Sequence, residues 1–183
     1  PLACPLNVPE LATFRRPLLF NELALFTLGP LIIIWRYRLR LEEALALRPF
    51  RPAVWLAVLL IVPSVYLSGV GVFKLADLAV PVPRQVLEQF SKDLLPQDVP
   101  VWPLFLFVSI LPGICEEIAF RGTLLYGLHR RLRPVALVIA VGVIFGLFHV
   151  SLFRIIPTGF IGVVLTTIAL LTGSILPGML VHA

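Results

Sequence analysis

The 183-residue chain is 59% hydrophobic and only 14% charged, with a formal net charge of +5 and a mean hydropathy of +1.00. Soluble domains carry about 25% charged residues, so this composition excludes a water-soluble fold and indicates a polytopic membrane protein. The positive charge does not indicate nucleic acid, because the basic residues gather at the ends of apolar runs rather than along an amphipathic or aromatic-interleaved surface.

In chain order, five runs are long enough to cross a hydrocarbon core: 18–35, 53–73, 101–128, 134–153 and 155–172. A sixth begins at Ser174 and is interrupted at Ala183. The expected fold is therefore an all-α transmembrane bundle of about six spans. Because Met179 is the single methionine, the chain reads as a fragment open at both ends. Residues 1–17 form a lead-in, and 18–183 a membrane-embedded domain with its motif core at 101–183.

At the start of the first run, Asn21 and Glu22 are expected at the membrane interface. Arg36, Arg38, Arg40, Arg48 and Arg51 separate the first two runs, and Arg130, Arg131 and Arg133 the third and fourth. Between the second and third, Lys74, Arg84 and Lys92 are mixed with Asp77, Glu88, Asp93 and Asp98. The positive-inside rule then puts both arginine-rich loops in the cytoplasm and the mixed loop outside, with Arg15 and Arg16 a mild exception. The amphipathic stretch 84–95, bounded by prolines, is expected to be an interfacial connecting helix without a part in chemistry. Thr172-Gly173-Ser174 predicts a tight turn with Ser174 as N-cap of the last helix and Pro177 in its first turn.

The third run holds Glu116-Glu117-x-x-x-Arg121 among almost entirely apolar residues. Charges in hydrocarbon cost several kcal/mol unless paired or hydrated, so such residues are candidates for function. Glu117 and Arg121 are i and i+4 with the acid first, the favourable order for an ion pair. Glu116 points about 100° away, onto a face shared with Ala119, Phe120, Thr123 and Gly127, and has no partner on its own helix. A network that only fixes packing accounts for one acid but not for the second.

In Phe145-x-x-x-His149 two rings stack one turn apart, and Gly142 and Gly146 beside them suit close helix contact. Counting at ~1.5 Å per residue puts Glu116 roughly 18 Å and His149 roughly 22 Å from the inner end of their helices, and His182 roughly 12 Å past Ser174. His149 is then the expected partner of Glu116, with His182 entering from the same side. A carboxylate and an imidazole sharing one water can orient and deprotonate it, and a second imidazole can donate to an oxyanion. His129 reads as an interfacial cation or helix-dipole partner and Cys115 as a small buried hydrophobe. Cys4 and Cys115 give neither a disulfide framework nor metal-ligand spacing. No His-Glu-x-x-His occurs, so no metal or other cofactor is expected.

These three motifs, Glu116-Glu117-x-x-x-Arg121, Phe145-x-x-x-His149, and Thr172-Gly173-Ser174 leading to His182, resemble those of the CAAX protease and bacteriocin-processing family, the glutamate-type intramembrane endopeptidases. The resemblance runs from about Leu104 to the end; before that, only the style of the arginine-rich segment through Leu47-Arg48-Pro49 is similar. It implies that Glu116 and His149 activate water, with Glu117 and Arg121 holding the site and Phe145 supporting it. His182 would help form the oxyanion hole with an asparagine four residues later, beyond Ala183. The implied partners are the lipid bilayer and a peptide or lipidated protein substrate, in a bacterial cytoplasmic membrane with the cavity open to the cytoplasm. A non-catalytic member of the same fold, such as a bacteriocin-immunity protein or partner subunit, remains the alternative, and a proton-carrying transporter the third reading.

Overall fold

The computed structural model describes residues 19–94 and 100–183. Its eight helices, with no strand among the described residues, are what an apolar chain must form where no water satisfies its backbone. α1 is one rod made of a π-helical stretch, Asn21–Leu28, and an α-helical one, Gly29–Arg36. Then follow α2 (Leu41–Ala44), α3 (Ala53–Ala79), α4 (Arg84–Leu94), α5 (Val101–Leu128), α6 (Pro134–Phe148), α7 (Leu152–Thr172) and α8 (Leu176–His182).

Three helices, α3, α5 and α7, are long and apolar enough to span a membrane, and α6 is shorter. The run expected at 134–153 ends at Phe148, because the chain turns at His149–Ser151 with Val150 at φ 46° before α7 begins. Helix α3 is lipid-facing nearly all round: Val58 is its one buried residue, while Leu56, Leu59, Leu60 and Leu67 are exposed. Without water to drive apolar faces together, close backbone contact has to hold such helices. Gly142 and Gly146 supply it, as expected: a Cβ on Gly142 would lie 2.9 Å from Val163 N, and one on Gly146 2.5 Å from the Ile155 carbonyl oxygen. Gly159 and Gly162 of α7 face them, so α6 and α7 nearly touch at backbone level.

One buried cluster joins Phe120, Leu137, Val141, Phe145 and Ala169 across α5, α6 and α7. A second gathers Ile34, Ala44, Leu45 and Ile175 at the arginine-rich end. There the chain after α2 is tucked inward. Ile175 N–H donates to the Ala46 carbonyl (3.2 Å), Ser174 Oγ donates to the Arg48 carbonyl (2.7 Å), and Gly122 makes room for Leu45. The turn at 172–174 forms as the sequence predicts. Gly173 takes φ 65° and Pro177 lies in the first turn of α8, but the N-cap is Ile175 rather than the expected Ser174, whose Oγ instead accepts the Leu176 N–H at 3.3 Å while donating to the Arg48 carbonyl.

Candidate active site

Helix α5 carries the charges through a change of pitch. It is α-helical over Leu111–Glu117 and widens to a π-helical turn over Ile118–Leu124 directly after the paired acids. Such widened turns recur at functional sites because they displace side chains from regular spacing. Glu117 and Arg121 nonetheless meet, with Arg121 Nη1 donating to Glu117 Oε1 at 2.7 Å and both side chains 0% exposed. Arg121 Nη2 donates to the Gly162 carbonyl (3.0 Å), Nε to Thr166 Oγ1 (3.4 Å), and its guanidinium lies 4.4 Å from the centre of the Phe145 ring. A desolvated cation over an aromatic face gains about 2 kcal/mol. Arg121 thus ties α5 to both α6 and α7.

Helix α8 brings the imidazole. Past the Ser174 turn it runs antiparallel to α5, and its close approach at Gly178 is obligatory, since a Cβ there would lie 2.6 Å from Glu117 Oε2. One turn on, His182 Nδ1 donates to Glu117 Oε1 (3.2 Å), while its Nε2 lies 3.8 Å from Glu116 Oε2. The one histidine therefore spans the two acids. Glu116 Oε2 is buried and accepts no hydrogen bond within the described residues.

His149 is placed differently from expectation. It sits at the C-cap of α6, where Nδ1 donates back to the Phe145 carbonyl (3.0 Å), leaving Nε2 as the lone-pair nitrogen of the neutral ring. Its ring and that of His182 both meet Phe145 edge to face, at 5.0 and 5.8 Å, so the buried phenyl contacts both imidazoles. Among the described residues no hydrogen bond or ion pair joins His149 to Glu116; the imidazole beside the acids is His182. The small-residue face expected around Glu116 is filled by Phe120, packed against Phe26, Phe145 and Phe148.

Two charged residues at this level were not anticipated. Glu22, expected at the interface, is 4% exposed, and its Oε2 has no partner among the described residues. Helices α1 and α5 pack side by side, with Phe26 against Phe120 at 5.6 Å. Each ring lies one turn after its glutamate, which sets Glu22 level with Glu116, close enough for the two charges to interact. Arg154, in the first turn of α7, is a further cation acting on Glu116, and its guanidinium lies 5.2 Å from the Phe90 ring of the amphipathic α4. The i, i+4 repetition of acid and aromatic in Glu22/Phe26 and Glu116/Phe120 was the signal available in the sequence. Cys115 is buried and free, and His129 Nδ1 donates to the Tyr126 carbonyl at 2.5 Å in the last turn of α5, both as expected. Among the described residues no three His, Cys, Asp or Glu side chains come together in a way that could hold a metal ion.

The fold and the buried cluster of acids, guanidinium and imidazoles define an integral membrane protein of the helical-bundle class with an intramembrane polar site. Residues 98–183, which carry every one of these motifs, match the family described as "Type II CAAX prenyl endopeptidase Rce1-like". At family level this match supports a protease-like protein. No curated protein and no solved structure matches the chain.

Proposed function

We propose that this chain forms the core of an intramembrane endopeptidase that hydrolyses a peptide bond of a membrane-associated or lipidated peptide. The observation that carries the reading is the free Glu116 oxygen, buried and with no hydrogen-bond partner, 3.8 Å from His182 Nε2. A carboxylate held this way can take the proton of a bound water, and an imidazole at the same point can orient the water or donate to the oxyanion. Glu117 is unsuited to that role because Arg121 and His182 engage its Oε1, while its Oε2, also without a hydrogen-bond partner, is closed in against Gly178. In this mechanism Glu116 is the base, His149 and His182, both packed on Phe145, serve water and oxyanion, and Glu117 with Arg121 holds the geometry. In this reading the arginine-rich end of the bundle faces the cytoplasm, as the positive-inside rule has it.

The test is cleavage of a fluorogenic farnesylated peptide in proteoliposomes. Glu116→Ala and His149→Ala are each expected to lower the rate by at least about a hundredfold, the scale of a lost acid–base group, and chelators to leave it unchanged. A near-normal rate in either variant rejects the mechanism. The specific observation in favour of a non-catalytic member of the fold is that His149 bonds its own helix, with no hydrogen bond or ion pair to Glu116 among the described residues. Wild-type protein that binds the peptide and cleaves none of it would establish that reading instead.

A further inference from the structure

At the end of the bundle where the arginines gather, away from the two histidines, lies a cavity of about 350 Å³ bounded by the chain after α2 and the last turns of α5 and α7. Its rim is cationic, with Arg48, His129 and Arg130, while Leu125 and Leu170 give it an apolar wall. The one acid lining it is Glu43, whose carboxylate is 2.9 Å from Arg40. Neither Arg48 nor Arg130 has an ion-pair partner among the described residues. His129 spends Nδ1 on the Tyr126 carbonyl, which leaves its Nε2 edge for another group. Arg121 reaches the cavity from within the bundle but is already bound to Glu117.

This rim is fixed rather than incidental. Arg48 follows Ala46, which is held at φ 47°, a left-handed conformation that costs energy for a residue with a Cβ. Two bonds from the buried 174–175 turn hold the segment there, and Leu45, 4% exposed, anchors it against Gly122. The constraint places Arg48 on the same cavity as Arg130, at the arginine-rich end of the helices. Two forked, unpaired guanidiniums select an oxyanion with several acceptor oxygens. The volume is near the lower end of the ~300–1,000 Å³ of ligand sites, enough for a phosphate and a glycerol but not for acyl chains. Leu170, at the same mouth, is partly exposed on the outer surface of the bundle, where acyl chains would run.

We infer that this cavity is a headgroup site for an anionic glycerophospholipid, its phosphodiester held between Arg48 and Arg130. Basic pockets between helices at the arginine-rich side are the general form of such sites. The site stands independently of any proteolytic activity.

The test compares the full chain with the Arg48→Gln/Arg130→Gln double variant by native mass spectrometry from detergent, with phosphatidylglycerol and phosphatidylcholine at equal concentration. Phosphatidylglycerol is expected to remain as a one-to-one adduct on the wild type under activation that strips phosphatidylcholine, and to be lost from the double variant by about tenfold or more. It should also raise the thermal midpoint of the wild type alone. Equal retention of both lipids, or equal retention of phosphatidylglycerol by both proteins, overturns the proposal. A midpoint raised by millimolar inorganic phosphate, with no lipid adduct, assigns the site to free phosphate and overturns it as well. If the double variant does not fold, Arg130→Gln, just past the end of α5, takes its place, with loss of the phosphatidylglycerol adduct expected and its full retention overturning the proposal.

Discussion

Glu116 and Glu117 are neighbours in sequence and both face His182, yet they differ in their hydrogen bonds. Glu117 Oε1 accepts from Arg121 and His182, whereas Glu116 accepts no hydrogen bond at its buried Oε2 and has no ion pair with Arg121 among the described residues. Removing the charge of Glu117 leaves the Arg121 guanidinium buried and unneutralised, a loss on the order of 3 kcal/mol or more. Glu117→Gln is therefore expected to lower the melting temperature in detergent and the cleavage rate together. Glu116→Gln is expected to keep the wild-type melting temperature and lose cleavage. Equal melting temperatures with Glu117→Gln still active would reverse the two roles. Glu22 calls for the opposite sign: it is buried, level with Glu116, and no cation engages it among the described residues. A buried unsatisfied polar group costs about 1–3 kcal/mol and a charged one more, so Glu22→Gln is expected to raise stability on the order of 1 kcal/mol. A fall in the unfolding midpoint would mean that a cation holds Glu22.

At the scale of elements, the α6–α7 contact and the position of α8 carry the site. Arg121 bonds the Gly162 carbonyl only because α7 approaches α6 at glycine distance, where a Cβ on Gly162 would lie 3.0 Å from Gly142 Cα. Gly146→Ala would put a methyl 2.5 Å from the Ile155 carbonyl oxygen and 3.0 Å from Gly159 Cα, both backbone atoms that cannot rotate away. Its expected cost is more than about 2 kcal/mol, in the upper part of the usual range for overpacking or beyond it. Gly71→Ala, with open space around it, is expected to be neutral or to stabilise by up to about 1 kcal/mol through helix propensity. Thermal unfolding of the two variants in the same detergent makes the comparison, and equal midpoints would show that α6 and α7 are not held at this distance.

At the scale of the whole molecule, α1 and α5 run parallel toward the arginine-rich end, and the turn from α7 to α8 lies at that same end, against the chain after α2. If that end is cytoplasmic, cysteines at positions 40 and 131 are shielded from an impermeant thiol reagent in intact cells, and one at position 84, on α4, is labelled. The inverse labelling pattern would turn the bundle over.

The sequence by itself determined what depends on composition and on neighbours one helical turn apart. Apolar length fixed a helical bundle, i, i+4 spacing paired Glu117 with Arg121 and stacked Phe145 on His149, and the glycines of α6 marked a close crossing. The tertiary structure decided what depends on which helices lie side by side and at what rotation. It ended α6 one residue before His149 and turned that ring back onto its own helix, so that α8, not α6, delivers the imidazole nearest the acids. It also carried Glu22 from an expected interface into the bundle, because the parallel packing of α1 on α5 matches Phe26 with Phe120 and takes the glutamate one turn earlier along with it. Helix periodicity specifies faces, but only the packing of one face on another sets the level and partner of a charge.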